Sequence, residues 1–157
     1  MATVTDDFRH RTTLRARFRD IDAFGHVNNA VFSSYVEQAR ITYLLEVLRS
    51  DQPFARLPLI LARIAIDFRS PIMFGEEVTV HSRVGRIGRT SFGMEHRMTA
   101  GPDERLAAEV SSVLVCFDYA TGRPIPVPDE WRDRLSEYED RPLDAGARLA
   151  TTGAVPA

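Results

Sequence analysis

One long apolar segment constrains the fold more than any other feature of this sequence. From about Asn28 to Leu48, apolar residues recur at spacings of three and four, which is the period of a helix face. So broad an apolar stripe predicts a deeply buried helix rather than one that rests on a surface. Asn28 or Asn29 can supply its N-cap, because Asn side chains accept hydrogen bonds from first-turn N–H groups. The stripe comprises Phe32, Tyr35, Val36, Ala39, Tyr43 and Val47, widened by Val31, Leu44 and Leu48.

The rest of the chain has mainly the period of β-strands. Ahead of the helix, Leu14, Ala16 and Phe18 alternate with arginines, which predicts a strand with one wet face. Four further runs follow the helix, and a short helix opens near Pro128. One long helix with a mostly antiparallel sheet of five to six strands is an α+β arrangement. The four runs are Ile60–Phe68, Val78–Val84, Phe92–Met98 and Leu106–Asp118, with Gly85–Arg89 predicted as a hairpin connection.

Length and composition predict one globular domain. The 157 residues have room for one sizeable core. We expect a flexible arm over residues 1–11, the folded domain over 12–139 and a disordered tail over 140–157, whose Ala-, Gly- and Thr-rich sequence carries no packing signal. The net charge of −2 gives no reason to expect nucleic acid or an anionic membrane as partner. Neither a secretory signal nor a membrane-spanning run is visible, so we expect a cytoplasmic protein.

The cysteine and histidine residues limit which disulfide and metal sites the chain can form. Cys116 is the single cysteine, and one cysteine excludes an intrachain disulfide and a Cys-rich zinc site. It lies in the apolar run Val113–Phe117 and is expected to be buried. His81 and His96 lie on predicted strands without spaced ligand companions, so we predict no metal site. Neither GxGxxG nor GxxxxGK[ST] occurs, and we predict no cofactor.

The residues around the start of the helix resemble a family signature. Arg19–Asn29 read Arg-Asp-Ile-Asp-Ala-Phe-Gly-His-Val-Asn-Asn, and Tyr35–Arg40 read Tyr-Val-Glu-Gln-Ala-Arg. This acidic pair, Gly-His-Val-Asn-Asn turn and central helix resemble the 4-hydroxybenzoyl-CoA thioesterase-like hotdog proteins. Phe68–Val78 and Asp118–Pro128 resemble the family's second strand and its closing segment. The resemblance covers about Thr12 to Leu135 and implies the hotdog fold, a long central helix wrapped by the sheet.

The resemblance also implies an acyl-CoA thioesterase, which hydrolyses an acyl-CoA to a free carboxylic acid and coenzyme A. Asp22 occupies the position of the catalytic carboxylate. The backbone N–H of Asn29, at the positive end of the helix, would polarise the thioester carbonyl. Gly25 would let the chain approach the ligand closely. Direct attack by Asp22 and activation of a water by Asp22 both remain open.

Neighbouring polar residues offer alternative roles. Asp22 could be only a structural hydrogen-bond acceptor. Asp20 is expected to be structural, paired with an arginine of the first strand. His26 is a candidate for direct chemistry, but ordering the turn is its more natural role. Some hotdog thioesterases carry the acid on the central helix, yet the spacing of Glu37 to Arg40 favours an i,i+3 ion pair.

Arginine and hydroxyl side chains near the predicted hairpin are candidates for coenzyme A binding. Arginine makes bidentate contacts to phosphate, although a solvated charged turn explains these residues equally well. Aromatic residues near the helix start, among them Phe32, Phe24 and Tyr35, could line an acyl pocket or only pack in the core. The coenzyme candidates are Arg86, Arg89, Thr90 and Ser91, with Arg69 and Arg123 as further contributors.

The apolar helix and the sheet edges also predict self-association. Pairing of edge strands protects their free hydrogen-bonding groups, so we expect a homodimer or homotetramer. Two alternative functions remain: an acyl-acyl carrier protein thioesterase, which the net charge does not favour, and a non-catalytic acyl-CoA-binding module. A dehydratase is disfavoured because the Asp-x-x-x-x-Asn-x-x-His arrangement is absent after a strand.

Overall fold

The longest element in the described part of the chain is a 20-residue helix, which begins at the candidate site. The structure is a computed structural model that describes residues 5–144, and helix α1 spans Asn29–Leu48. Asn28 is its N-cap, because the Asn28 Oδ1 accepts a hydrogen bond from the Ala30 N–H at 2.9 Å. The predicted stripe is buried as expected: Phe32, Tyr35, Val36, Ala39, Tyr43, Leu44, Val47 and Leu48 are all inaccessible to solvent or nearly so.

The strands form one antiparallel sheet. Their bounds are β1 His10–Arg15, β2 Leu59–Phe68, β3 Glu77–Ile87, β4 Ser91–Ala100, β5 Arg105–Asp118 and β6 Arg123–Pro124, followed by helix α2 Asp129–Glu139. The strand order is β1-β3-β4-β5-β2, and β6 pairs with β5. β1 runs antiparallel to β3, with His10 opposite Ser82 and Arg15 opposite Glu77. A curled antiparallel sheet with one long helix confirms the predicted α+β class.

The described chain divides into two compact units. The first comprises the described residues up to Leu44, with Ala65–Arg83 and Glu95–Ser111. Its core includes the ring of Tyr43, which meets His10 of β1 edge-on at 5.2 Å. The second comprises Leu45–Ile64, Val84–Met94 and the described residues from Ser112 onward, and it buries side chains such as Trp131 and Leu135 of α2.

Two local predictions were wrong. The first strand ends at Arg15, and Phe18, predicted to face the core, is 82% exposed because it begins a turn of 3₁₀ helix, Phe18–Asp20. The hairpin connection is also shorter than Gly85–Arg89, since β3 continues to Ile87 and the Gly88 N–H donates to the Ser91 carbonyl at 2.7 Å. Both differences arise where turn hydrogen bonds between residues three apart, such as that from the Ile21 N–H to the Phe18 carbonyl, override the alternation.

The outer parts of the predicted domain plan are only partly described. Residues 1–4 of the expected arm and 145–157 of the expected tail lie outside the described residues. Within the described range, the chain before β1 is fixed by Phe8, a buried side chain that lies beneath the guanidinium of Arg83 at 4.6 Å. Neither of the two helices in that range is long and apolar enough to cross a membrane.

Candidate active site

A narrow antiparallel ribbon joins the 3₁₀ turn to helix α1. The Asn28 N–H donates to the Asp20 carbonyl at 2.9 Å, and the Asp22 N–H donates to the His26 carbonyl at 3.1 Å. A single β-bridge lies between these two hydrogen bonds. The ribbon therefore sets the backbone of Asp22 opposite that of His26, and His26 lies two residues before the N-cap of the helix.

The tip of the ribbon is a tight turn that requires glycine. The Gly25 N–H donates to the Asp22 carbonyl at 3.0 Å, and Gly25 has a φ of +84°, in the left-handed region where a side chain is strained. No heavy atom lies within 4 Å of the position that a Cβ would take on Gly25. Its backbone conformation, rather than crowding by the protein, explains the glycine.

The Asp22 side chain is oriented by one oxygen and leaves the other available. The Asp22 Oδ1 accepts a hydrogen bond from the Phe24 N–H at 2.9 Å, an Asx turn. The Asp22 Oδ2 has no hydrogen-bond partner within residues 5–144, and the side chain is half-buried. The structural role and the chemical role considered for Asp22 are therefore compatible, since each uses a different oxygen.

The first turn of α1 leaves one backbone donor unpaired. The Ala30 N–H donates to the Asn28 side chain, and the Val31 N–H donates to the Asn28 carbonyl at 2.9 Å. The Asn29 N–H has no acceptor in the described part of the chain. An unpaired N–H at the positive end of a helix favours a negatively charged or polarised oxygen.

A cavity of about 290 Å³ opens beside this helix start. Within it, the ring of Phe32 meets that of Phe68 edge-on, with centroids 5.1 Å apart. Asp22 is not a lining residue, but His26, its partner across the ribbon, is. The cavity is thus an apolar space next to an unpaired N–H and close in the chain to a carboxylate. It is lined by His26, Val27, Asn29, Phe32, Phe68, Arg69, Ser70 and Pro71.

The other carboxylate of the acidic pair has a different environment. Asp20 is 3% exposed, and its carboxylate accepts hydrogen bonds from the Arg17 N–H at 2.9 Å, the Arg17 Nη2 at 3.1 Å and the Tyr35 hydroxyl at 2.8 Å. Burial by itself would raise the pKa of Asp20, but these hydrogen bonds outweigh it and hold that pKa below its ordinary value. Burial of Tyr35 and the hydrogen bond from its hydroxyl to Asp20 raise the pKa of Tyr35. Asp20 pairs with an arginine as predicted, but that arginine, Arg17, lies after β1 rather than on the first strand.

The remaining candidates near the helix have separate positions. His26 lines the cavity, and its ring stacks on that of Phe24 at 6.4 Å. Glu37 forms the predicted i,i+3 ion pair with Arg40 at 3.8 Å and does not line the cavity. Tyr35, considered as a pocket residue, is buried with its hydroxyl on Asp20 instead.

The coenzyme candidates are not gathered in one place by the described contacts. Arg69 lines the cavity of the first unit and is ion-paired with Glu109 at 2.8 Å. Arg86 is an exposed residue near the end of β3, Arg123 is exposed on β6, and the remaining candidates lie at the connection from β3 to β4. Arg86, Arg89, Thr90 and Ser91 all belong to the second unit, and none lines the cavity.

Sequence reasoning assigned no site role to four cavity residues: Val27, and a group of three at the end of β2, Phe68, Ser70 and Pro71. These three end β2 and follow it, and the Ser70 Oγ donates to the Leu106 carbonyl at 2.8 Å. A small polar residue and a proline directly after a long apolar strand were the available signal. Their proximity to Phe32 depends on the packing of distant segments, which the residue pattern does not encode.

Comparison with known proteins identifies the family. The sequence pattern of the thioesterase-like superfamily matches residues 16–135. A thioesterase from Thermus thermophilus, solved with coenzyme A and zinc, shares 41% identity with a TM-score of 0.80, over 88% of this chain and 99% of that one. The long-chain acyl-CoA thioesterase FadM of Escherichia coli is 23% identical, over 81% of this chain and 97% of its own. The chloroplast acyl-acyl carrier protein thioesterase ATL3 of Arabidopsis thaliana is 25% identical, over 82% and 68% respectively.

The chain therefore belongs to the thioesterase-like superfamily. Its fold is the hotdog fold, as the resemblance of the Asp-Ile-Asp and Gly-His-Val-Asn-Asn segments implied, and the protein is a thioester hydrolase. Within residues 5–144, no cluster of three or more His, Cys, Asp and Glu side chains is arranged to hold a metal ion.

Proposed function

We propose that this protein is an acyl-CoA thioesterase in which Asp22 is the catalytic carboxylate and the Asn29 N–H polarises the thioester carbonyl. The observation that carries the proposal is the unpaired N–H of Asn29, a residue that lines the cavity and directly follows the ribbon that holds Asp22. Support for coenzyme A as the carrier comes from the Thermus thermophilus relative, solved with that molecule, and from the name of FadM.

The reaction consumes one water and breaks the bond between the carbonyl carbon and sulfur. As a nucleophile adds to the carbonyl carbon, negative charge develops on the carbonyl oxygen, where the Asn29 N–H and the helix dipole stabilise it. The free Oδ2 of Asp22 either takes a proton from the attacking water or attacks the carbon itself. The thiolate of coenzyme A leaves when the carbonyl reforms, and a proton completes the thiol. His26 orders the turn that carries Asp22.

The two ends of the substrate need different surroundings. The cavity that Phe32 and Phe68 line suits the acyl group, because its walls are mostly apolar. Arginine side chains suit the phosphates of coenzyme A. We assign that end to Arg86, Arg89, Thr90 and Ser91 of the second unit, and we also assign it Arg69, which lines the cavity of the first unit.

We further propose that the protein works as a homodimer or a larger homo-oligomer joined through β2. This ten-residue strand ends the strand order of the sheet, and it exposes Ile60 and Leu61. A long apolar edge strand is a template for pairing with another chain. Ile60→Lys should dissociate the oligomer in sedimentation equilibrium, whereas Leu45→Lys, at an exposed apolar position on α1, should leave it intact.

The function is tested by free-thiol release from short, medium, long and aromatic acyl-CoAs. Asp22→Asn keeps the size of the side chain and removes its charge, so kcat should fall by roughly 100-fold or more while binding of coenzyme A is retained. Asp51→Asn is the matched control, since Asp51 is an exposed aspartate outside the site, and it should keep native activity.

The outcomes separate the proposals. Full activity of Asp22→Asn would refute Asp22 as the catalytic carboxylate, and inactivity of the native protein on every acyl-CoA would refute the substrate class. Single-turnover hydrolysis in water labelled with a heavy oxygen isotope then distinguishes the two roles of Asp22. General-base catalysis places the label in the product acid. If Asp22 attacks and water cleaves the intermediate at the Asp22 carbonyl, the label appears in the protein.

An acyl-acyl carrier protein substrate is the second candidate. The relative ATL3 carries that activity in its name. The same thiol assay with matched acyl chains on coenzyme A and on the carrier protein decides between the two carriers by comparing kcat/KM. A higher value for the carrier protein would replace coenzyme A in the proposal.

A further inference from the structure

One buried carboxylate links the ribbon that carries Asp22 to the helix that carries the Asn29 N–H. Through its side chain, Asp20 accepts hydrogen bonds from the backbone and guanidinium of Arg17 and from the hydroxyl of Tyr35, which lies on α1. Through its carbonyl, it accepts from the Asn28 N–H at the N-cap. The same residue thus fixes the helix at its N-cap and again at Tyr35, about two turns further on.

Both side-chain oxygens of Asp20 are occupied. Its Oδ2 accepts from the Arg17 N–H, the Arg17 Nε and the Tyr35 hydroxyl, and its Oδ1 accepts from the Arg17 Nη2. Hydrogen bonds to a charged acceptor are shorter and stronger than neutral ones, and at a site 3% exposed little water competes for them. Together they restrict the angle at which α1 leaves the ribbon.

We propose that Asp20 and Tyr35 are positioning residues of the hydrolysis: the Tyr35–Asp20 hydrogen bond sets the Asn29 N–H relative to Asp22. The inference rests on the proposed function, because the proposed function gives the Asn29 N–H and Asp22 their catalytic roles. Tyr35 does not line the cavity, and its hydroxyl is bonded to Asp20, so it acts through Asp20.

Loss of this hydrogen bond should affect the rate rather than substrate binding. Tyr35→Phe keeps the buried ring, and the Asn28 to Asp20 backbone hydrogen bond keeps the helix start in place. A small misalignment of donor and carboxylate weakens contacts that matter most in the transition state. KM depends on the rest of the cavity and on the coenzyme contacts, which the substitution does not touch.

The test is a double-mutant cycle with kcat and KM measured on one acyl-CoA. In the native background, Tyr35→Phe should lower kcat roughly tenfold and change KM less than about twofold. Asp20→Asn, which keeps the size of the side chain but loses an acceptor, should lower kcat at least as much. In the Asp22→Asn background, Tyr35→Phe should change the residual rate less than about twofold, because the group that it positions is already gone. Tyr119→Phe is the matched control: it removes a tyrosine hydroxyl bonded to the Leu59 carbonyl at 2.7 Å and should keep native kcat.

The cycle keeps this inference distinct from the proposed function. Native kcat in Tyr35→Phe would overturn the inference, and so would an equal loss in both backgrounds, which would mean a general structural effect. A loss in Tyr119→Phe equal to that in Tyr35→Phe would overturn it as well. Native activity of Asp22→Asn would instead refute the catalytic role of Asp22, whatever Tyr35→Phe does.

Discussion

Two regions only two residues apart in the sequence use an aspartate in opposite ways. In the anchor (Arg17, Asp20 and Tyr35), the carboxylate is buried, both of its oxygens are occupied and its pKa is lowered. In the turn (Asp22–His26), the carboxylate is half-buried, and one backbone N–H holds one oxygen. A fully satisfied charge fixes structure, whereas a carboxylate with a spare oxygen is available for chemistry.

The contrast shows why a short acidic motif is ambiguous by itself. Both residues are aspartates on the same approach to a helix, and the identity of the side chain assigns neither role. The two carboxylates differ in the number of hydrogen-bond donors around them. Each donor stabilises the charge and also removes an acceptor site from reaction. Stability should therefore depend on the anchor, and catalysis on both regions.

The largest expected difference is in stability. Asp20→Ala leaves the buried Tyr35 hydroxyl and the Arg17 N–H without their acceptor, and should lower the free energy of unfolding by about 3 kcal/mol. Asp22→Ala removes one Asx-turn hydrogen bond and should lower it by less than about 1 kcal/mol. Urea denaturation followed by fluorescence of Trp131, the single tryptophan, measures both. Equal losses would contradict the division between anchor and turn.

A smaller effect is expected in the pH dependence of stability. Because hydrogen bonds hold the pKa of Asp20 below 3.8, its ordinary value, ionised Asp20 stabilises the fold above that pH and this contribution is lost as the pH falls through the lowered pKa. The stability difference between the native protein and Asp20→Asn should therefore shrink as the pH falls below 3.8. A difference that stays constant over this range would show that the charge of Asp20 contributes nothing.

A second acid-sensitive group, His96, does not affect the stability difference between the native protein and Asp20→Asn. Burial lowers the pKa of His96 from 6.5 to about 3, so the folded protein resists protonation and loses stability as the pH falls below 6.5. His96 is present in both proteins, and its contribution cancels in the difference between them. Repeating the pH measurement in His96→Asn, which keeps a polar atom for the Ser82 hydroxyl, should reduce the loss of stability between pH 6.5 and about pH 4. Burial also lowers the pKa of His81, so His81 keeps its own share of that loss.

The smallest effect concerns the backbone of the turn. Gly25→Ala places a side chain at a φ of +84° without a steric clash, and should cost about 1 kcal/mol of stability from strain alone. Gly93→Ala, in a strand without a left-handed φ and with its nearest heavy atom at 3.8 Å, should be neutral or slightly stabilising. Urea denaturation compares them. If Gly25→Ala were as stable as Gly93→Ala, the turn would not need its left-handed residue.

Local features of the site followed from sequence because they depend on neighbours along the chain. Period, cap chemistry and an N–H left free by the helix start are properties of a few consecutive residues, so α1, the Asn28 cap and the Asn29 donor were all predictable. The acidic pair and the Gly-His-Val-Asn-Asn turn identified the family for the same reason. The i,i+3 pair of Glu37 with Arg40 also needed only helix geometry.

Only the tertiary structure decided which of these residues meet. Tyr35 lies 15 residues from Asp20 in sequence, and Phe68 ends strand β2 whereas Phe32 lies on helix α1, yet hydrogen bonding and ring packing join each pair. Phe18 was assigned to the core by alternation, but the 3₁₀ turn exposes it. The sequence by itself determined most of the elements and the family. The packing of segments distant in the chain decided the anchor, the cavity walls and the different surroundings of the two aspartates, because those depend on burial and on the Tyr35 hydroxyl, a donor supplied from elsewhere in the fold.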